Sequence, residues 1–460
     1  MMDFFFKPKG VAIVGASANA QKGGYSILKN LKMGFEGEIY PVNPRYREIE
    51  GLTCYSSVLE VPDPVDLAII FIAAPLVPGA IRECAERGIQ GAMIESGGFA
   101  ETGADGRSLQ DALKRIVSTT GIRLWGPNCM GLVDTANGSV FSFVAPTIWD
   151  DGLRKGDVSL IVQSGMLSGG FLIDTMSHGT MGINKVCSIG NKVDVNECEL
   201  LESLLGDPTT KAIGLYLESV SDGRKFLEIC RGSQKPIVVV KGAKSADGAR
   251  AALSHTASLS GNGMVMSGAL AQAGVVEALD FKQMMDFCRA LAMFPRLPHH
   301  SRGRVAIITY TGAGGILSSD FMEQMGLELA EISPDTREVM KRFYPDWMPV
   351  MNPFDLWPAV ERHGAERVYF EAVRAVCADP NVDAILLHSF VGGFAFTPDM
   401  TEMARMARTA GKPMFCWLLG KFDEARDFHI HAQECGVPVY RELHRAVECM
   451  GAVFARKTRS

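Results

Sequence analysis

An α/β protein of three consecutive doubly wound domains is what this sequence predicts, and three observations predict it. Short β-branched runs begin at Val11 (VAIVGAS), Val158 (VSLIVQSG) and Val305 (VAIITYTGAGG), each closed by a glycine-containing turn and followed by a helical pattern. The three starts are equally spaced, 147 residues from 11 to 158 and from 158 to 305, an ordinary domain size. Further apolar runs alternate with helical stretches, at 66–73 and 91–95, at 212–218 and 236–241, and at 383–390 and 413–419. Continuous apolar strands between helices belong to parallel sheets covered on both faces, and strand, glycine turn and helix form the opening unit of such a sheet.

The connections agree. Residues 145–157 (APTIWDDGLRKGD) and 295–304 (PRLPHHSRGR) carry proline, glycine and mixed charge, a linker composition. Domains are therefore expected at 1–145, 155–296 and 303–456. With 460 residues, 47% hydrophobic and 21% charged, the chain is globular and not disordered. A net charge of −6 gives no broad attraction to nucleic acid or to an anionic membrane, and leaves room for a local basic pocket. Eleven cysteines without a C-x-x-C pair point to reduced thiols and to no metal site. The longest uncharged apolar stretch, 67–81, is broken by Pro75 and Pro78 and is too short to span a bilayer. The amino-terminal MMDFFFKPKG lacks the apolar core of a signal peptide, so the expected location is cytoplasmic.

The first turn is VGASANAQKGG. Gly15 ends the strand, Ala16 and Ser17 lead into a helix N-terminus able to face a phosphate, and Lys22 adds a positive charge. It is neither G-x-G-x-x-G nor a Walker loop. The second strand ends in Asn43-Pro44-Arg45, where a dinucleotide fold would place an acidic residue for the ribose; a basic one suits a phosphorylated ribose. These residues are read as a site for a nucleotide or coenzyme A. FIAAP (71–75), ESGGF (95–99) and GPNCMG (126–131) follow later strands, where the ligand crevice of an open sheet lies. Asn128 is assigned to the same ligand. Cys129 is read as a buried small residue, because no base is placed beside it.

In the second domain Gln163-Ser164-Gly165 precede a helix expected near Met166. G-x-S-x-G fails here because position 162 is Val, so Ser164 is read as an N-cap that also binds an anion, with Gly165 beside it. The run AIGLYLES places Glu218 at a strand end, and the stretch AKSADGARAALSHTASLSG reads as a small-residue loop holding His255. A carboxylate that orients one imidazole nitrogen leaves the other free as a nucleophile.

Taken together, VGAS…KGG (14–24), YPVNP (40–44), GPNCMG (126–131), VQSGML (162–167), SIGNKVDV (188–195), LYLES (215–219), KPIVVVKGAKS (235–245), SHTASLSG (254–261) and NPFDL (352–356) resemble the NDP-forming acyl-CoA synthetases, the superfamily of succinyl-CoA synthetase. The pattern is similar to the α subunit of ADP-forming acetyl-CoA synthetases, over nearly the whole chain. The resemblance implies a Rossmann-like CoA-binding domain followed by two flavodoxin-like domains. It implies reversible conversion of acyl-CoA, ADP and phosphate to a carboxylic acid, ATP and CoA, through acyl phosphate and a phosphohistidine. The phosphorylated histidine maps onto His255, its supporting carboxylate onto Glu218, and the phosphate-facing helix N-terminus onto Ser164 and Gly165. Ala257 departs from the glycine that relatives often have, without removing a chemical group.

The resemblance also implies that ADP/ATP and Mg²⁺ are held by an ATP-grasp β subunit, since no stretch of this chain remains for that module, and that the assembly is α2β2. The third domain, with YTGAGG (310–315) and NPFDL, offers no chemistry that the residues reveal and is expected to serve docking. Two rival readings stand beside this one. An NAD(P)-dependent dehydrogenase is opposed by the absent G-x-G-x-x-G and by Arg45. A non-catalytic CoA-binding regulator is opposed by the joint presence of His255, Glu218 and the Ser-Gly turn.

Overall fold

The computed structural model describes residues 2–150, 152–178, 181–256, 262–297, 301–392 and 399–456. It is an α/β protein with three largely parallel sheets. The chain divides into two compact units, 1–284 and 285–460. The first unit holds two of these sheets and a small two-stranded one, Glu48–Ile49 with Leu52–Thr53, and the second unit holds the third.

The first sheet has the order Glu38–Val42, Gly10–Val14, Leu67–Ile70, Gly91–Ile94, Arg123–Trp125, all parallel. Strand order reverses between Gly10–Val14 and Leu67–Ile70, so a crevice opens at their carboxyl ends. The inner strands are buried on both faces, which is why they read as unbroken apolar runs.

The second sheet runs Val276–Ala278, Ile237–Lys241, Ala212–Leu217, Lys155–Val162, Ile183–Ser188, all parallel. Two short strands, Gly131–Asp134 and Ser139–Phe141, complete it as an antiparallel edge. Residues 131–141, grouped above with 1–145, thus pair with the second sheet. The segment 188–196 sews the two sheets together. Trp125 Nε1 donates to the Ser188 carbonyl (2.6 Å), the Val193 amide to Gly126 O (2.9 Å) and the Val195 amide to Leu124 O (3.0 Å). Arg123 then reaches Asp194 and Glu199, both at 2.8 Å. One apolar core, with Phe5 edge-on to Trp125 at 5.4 Å, runs through both sheets.

The third sheet has the order Glu328–Leu329, Arg304–Thr309, Ala384–Val391, Met414–Gly420, Val439–Tyr440, with Phe354–Asp355 beside Arg304–Thr309. NPFDL has a structural task here. The Asn352 amide accepts from the Ile307 amide (2.9 Å) and donates to the carbonyls of Val305 (2.8 Å) and Ala330 (3.0 Å). A side chain thereby fills the gap in the ladder that a strand would otherwise close.

Candidate active site

At the first sheet, the helix Gly23–Gly34 closes tightly on the strand before it. A Cβ on Gly24 would lie 2.1 Å from Gly15 O, and one on Gly15 (φ +98°) 2.2 Å from Phe71 O. Only glycine permits that approach and that backbone. Ser17 Oγ accepts from the Asn19 amide (3.1 Å), and Lys22 occupies the N-cap position without a side-chain cap. The Asn43 amide donates to Ala16 O (2.7 Å) and its Oδ1 accepts from the Arg45 amide (3.0 Å), so Asn43 ties the second strand end to the turn. Gly15, Ala16, Ser17, Lys22, Asn43, Pro44 and Arg45 therefore gather around two neighbouring strand ends, with Lys22 and Arg45 exposed. A tight turn, free helix-end amides and two exposed cations fit a phosphorylated ligand.

Asn128 is not among them. It ends the far strand of the sheet, in left-handed backbone (φ +58°), with its amide nitrogen donating to Ser96 O (3.0 Å) and its Nδ2 to Asn191 Oδ1 (3.4 Å). It belongs to the seam between the sheets. Cys129 is buried there, its thiol against Ile94 O at 3.4 Å, and burial pushes its ionisation well above the ordinary thiol range. It is held as a thiol.

The second sheet presents its own strand ends. Helix Gly165–His178 starts one residue after Ser164, whose carbonyl accepts from Ser168 N (3.2 Å) and Ser168 Oγ (2.7 Å). A Cβ on Gly165 would sit 3.5 Å from the Met130 amide, so this helix end abuts the 126–131 turn. Glu218 ends the neighbouring strand and is 6% exposed. Gln163 Oε1 accepts from the amides of Glu218 (2.8 Å) and Ser219 (3.2 Å), locking the two strand ends together. Tyr216 donates to Glu218 Oε1 (3.2 Å), and burial with that carboxylate pushes the phenol up to about 12.

Two lysines complete the edge. Lys241 Nζ donates to the carbonyls of Glu218 (2.7 Å) and Gly242, and burial lowers its ionisation. Lys192 pairs with the fully buried Glu197 (2.9 Å) and donates to Ser219 O (2.9 Å). Sequence reasoning assigned roles to none of Gln163, Tyr216, Lys192, Glu197 or Lys241. Lys241 was legible as the polar end of an apolar run; the others gain their roles from neighbours distant in the chain.

The stretch around His255 is a correction. Residues read as a loop form the helix Ala246–Thr256, with Ser245 Oγ accepting from the Gly248 amide (3.0 Å). Alanines and an arginine favour helix, and a capping serine starts it. The side chain of His255, and Ala257, lie outside the described residues. Beside the helix start is a cavity of about 400 Å³ bordered by Lys244, Ser245, Asn262 and Gly263. Among the described residues no group of acidic, His and Cys side chains could hold a metal ion, and no helix is long and apolar enough to cross a membrane.

Residues 9–135 match the CoA binding domain model, 155–291 the succinyl-CoA ligase like flavodoxin domain, and 305–457 the ligase-CoA domain. The chain is 35% identical to the α subunit of ADP-forming acetate–CoA ligase II of Pyrococcus furiosus, over 96% of this chain and 94% of that one. It is 39% identical to the ADP-forming acetate–CoA ligase II of Archaeoglobus fulgidus over 98% of this chain, but spans only 66% of that longer protein. Among solved structures, a dinucleotide-forming acetyl-coenzyme A synthetase of Candidatus Korarchaeum cryptofilum, in complex with phosphate and ADP, superposes with a TM-score of 0.87 at 29% identity, covering 99% of this chain and 97% of that one.

Proposed function

Because this chain belongs to the family of ADP-forming acyl-CoA synthetases, we propose that it is the α subunit of such an enzyme. It interconverts acyl-CoA, ADP and phosphate with a carboxylic acid, ATP and CoA. The observation that carries this reading is the interlocked edge of the second sheet. A buried carboxylate, Glu218, ends the strand next to the one that delivers a helix N-terminus at Ser164-Gly165.

In this reading the first domain, 1–145, binds CoA through Gly15, Ala16, Ser17, Lys22, Asn43, Pro44 and Arg45, with Asn128 on the path towards the second sheet. The second, 155–296, carries the chemistry, and the third, 303–456, docks. Phosphate attacks the thioester carbonyl to give acyl phosphate, and His255 takes the phosphoryl group. Transfer through a covalent intermediate divides one hard step into two easier ones. Glu218 stabilises the charged imidazole, and the amides at the start of the Gly165 helix offer fixed dipoles to the phosphoryl oxygens. ADP, ATP and Mg²⁺ belong to an ATP-grasp β subunit in an α2β2 assembly, in the cytoplasm.

The test is chemical labelling. Incubated with its β partner, radiolabelled ATP and Mg²⁺, this chain should take up phosphate that is lost in mild acid and kept in base. His255→Ala should abolish labelling and turnover together. Acid-labile label on the His255→Ala chain would show that another residue is the nucleophile.

A further inference from the structure

Glu95 is a buried carboxyl outside both groups of strand-end residues. It follows the strand Gly91–Ile94, is 3% exposed, and neither carboxyl oxygen has a hydrogen-bond partner. The Phe143 backbone amide faces the carboxyl and favours its charged form. Burial dominates and raises its ionisation well above the ordinary carboxylate value, favouring the protonated form.

Its place in the fold says which ligand. At the first sheet's helix start, a Cβ on Gly23 would lie 2.5 Å from the Phe71 ring and 3.1 Å from Phe143 Cβ. The rings of Phe71 and Phe143 are 5.4 Å apart. Glu95 lies against Phe143 on one side. On the other, its Oε1 is 2.6 Å from where a Cβ on Gly131 would be. The 126–131 turn in its turn abuts the first residue of the Gly165 helix. Glu95 therefore sits between the helix N-terminus assigned to the phosphates of CoA and the one assigned to the transferred phosphoryl group. In sheet order it is three strands from the Asn43 end, and strands are about 4.8 Å apart.

We propose that Glu95 is the acid that protonates the coenzyme A sulfur as the thioester breaks, and the base that removes that proton in the reverse direction; this rests on the acyl-CoA reading above. A phosphate oxygen forms a bond to the acyl carbon, the carbon–sulfur bond breaks, and sulfur leaves with the electron pair and takes the Glu95 proton. Hydrogen phosphate loses its own proton on becoming acyl phosphate, and that proton restores the acid. Burial raises the Glu95 ionisation, which brings the acid closer to a thiol of ordinary pKa about 8.5 and so favours proton transfer between them.

Two measurements test it. The full chain should show an infrared band of a protonated carboxyl that Glu95→Gln removes. Saturating coenzyme A should shift the band, and desulfo-coenzyme A, bound equally, should not. In the complex with the β partner, Glu95→Gln should slow acetyl transfer from acetyl phosphate to CoA by about 10²-fold or more and flatten its pH profile. Phosphorylation of this chain by ATP should be unchanged, and Glu95→Asp should recover part of the loss. Glutamine matches the neutral carboxyl in shape and charge, so the variant should fold. A band indifferent to bound CoA, or transfer within about threefold of wild type with the same pH profile, would overturn the role of Glu95 alone. A wild-type complex inactive on every acyl-CoA would overturn the underlying reading and this role with it.

Discussion

The second and third sheets open with the same device and end in opposite chemistry. In each, a buried strand runs into a glycine-containing turn and a helix, Lys155–Val162 into Gly165–His178 and Arg304–Thr309 into Gly312–Gln324. At the second sheet the strand ends are formally charged and interlocked, with Lys192 on Glu197, Lys241 on the Glu218 carbonyl and Gln163 spanning two strands. At the third, the buried cluster behind the helix start is built from uncharged partners, with Asp355 at its half-buried margin. His388, fully buried, has Nδ1 against Thr309 Oγ1 (2.9 Å) and Nε2 against Ser318 Oγ (3.2 Å), with the Trp417 ring edge-on at 4.9 Å. Its helix starts carry exposed Ile316, Trp357 and Phe422. One frame thus carries an ionic, interlocked strand end or a neutral hydroxyl–imidazole cluster, according to the last residues of its strands.

The largest expected effect would break the ionic side of this contrast. Lys192→Met leaves the fully buried Glu197 without its cation. Breaking one member of a buried pair costs about 3–5 kcal/mol. Denaturant unfolding of the chain should show a loss of that order in its first unit, and adding Glu197→Gln should restore most of it. Unchanged stability would mean that the second sheet does not depend on its charges.

Next in size is Glu218→Gln, which keeps the shape and removes the charge. Losing a charge-assisted hydrogen bond costs about 1.5–3 kcal/mol, a fall of roughly 10- to 100-fold in rate. Rapid-quench labelling by ATP and Mg²⁺ in the αβ complex should show that fall, while the unfolding curve stays close to wild type. If rate and stability fall together, Glu218 is a structural carboxylate like Glu197.

What the sequence revealed follows the range of each interaction. Strands buried on both faces announce themselves as apolar runs, so the three sheets and the strand ends at Gly15, Ser164 and Glu218 were legible. The edge hairpin at 131–141 was not, because its partner, Ile183–Ser188, lies far along the chain. Gln163 and Lys192 are ordinary polar residues until folding brings Glu218, Ser219 and Glu197 beside them. The helix at Ala246–Thr256 was misread because Ser, Gly and Ala suit a loop as well as a helix, and the decision fell to one cap at Ser245. NPFDL drew attention by resemblance. Its amide at Asn352 supports the sheet, a role that shows only when both neighbouring strands are in place.

The smallest expected effect tests the neutral side of the contrast. Burial lowers the His388 ionisation from the ordinary 6.5 to about 3. The sign follows from linkage. Above pH 6.5 the imidazole is neutral folded and unfolded, and its burial has no pH-dependent cost. Between pH 6.5 and about 3 the unfolded chain binds a proton that the folded chain refuses, so stability is lost as pH falls, by at most about 1.4 kcal/mol per unit. From pH 7 to pH 5 that amounts to about 2 kcal/mol. His388→Gln keeps a donor and an acceptor for Thr309 and Ser318 and removes the titration. The unfolding transition of the second unit should therefore lose about 2 kcal/mol less in this variant than in wild type over that range, with the other histidines cancelling in the comparison. Equal losses would mean that His388 takes up a proton in the folded protein, and that the third sheet, like the second, has a charged interior at its strand ends.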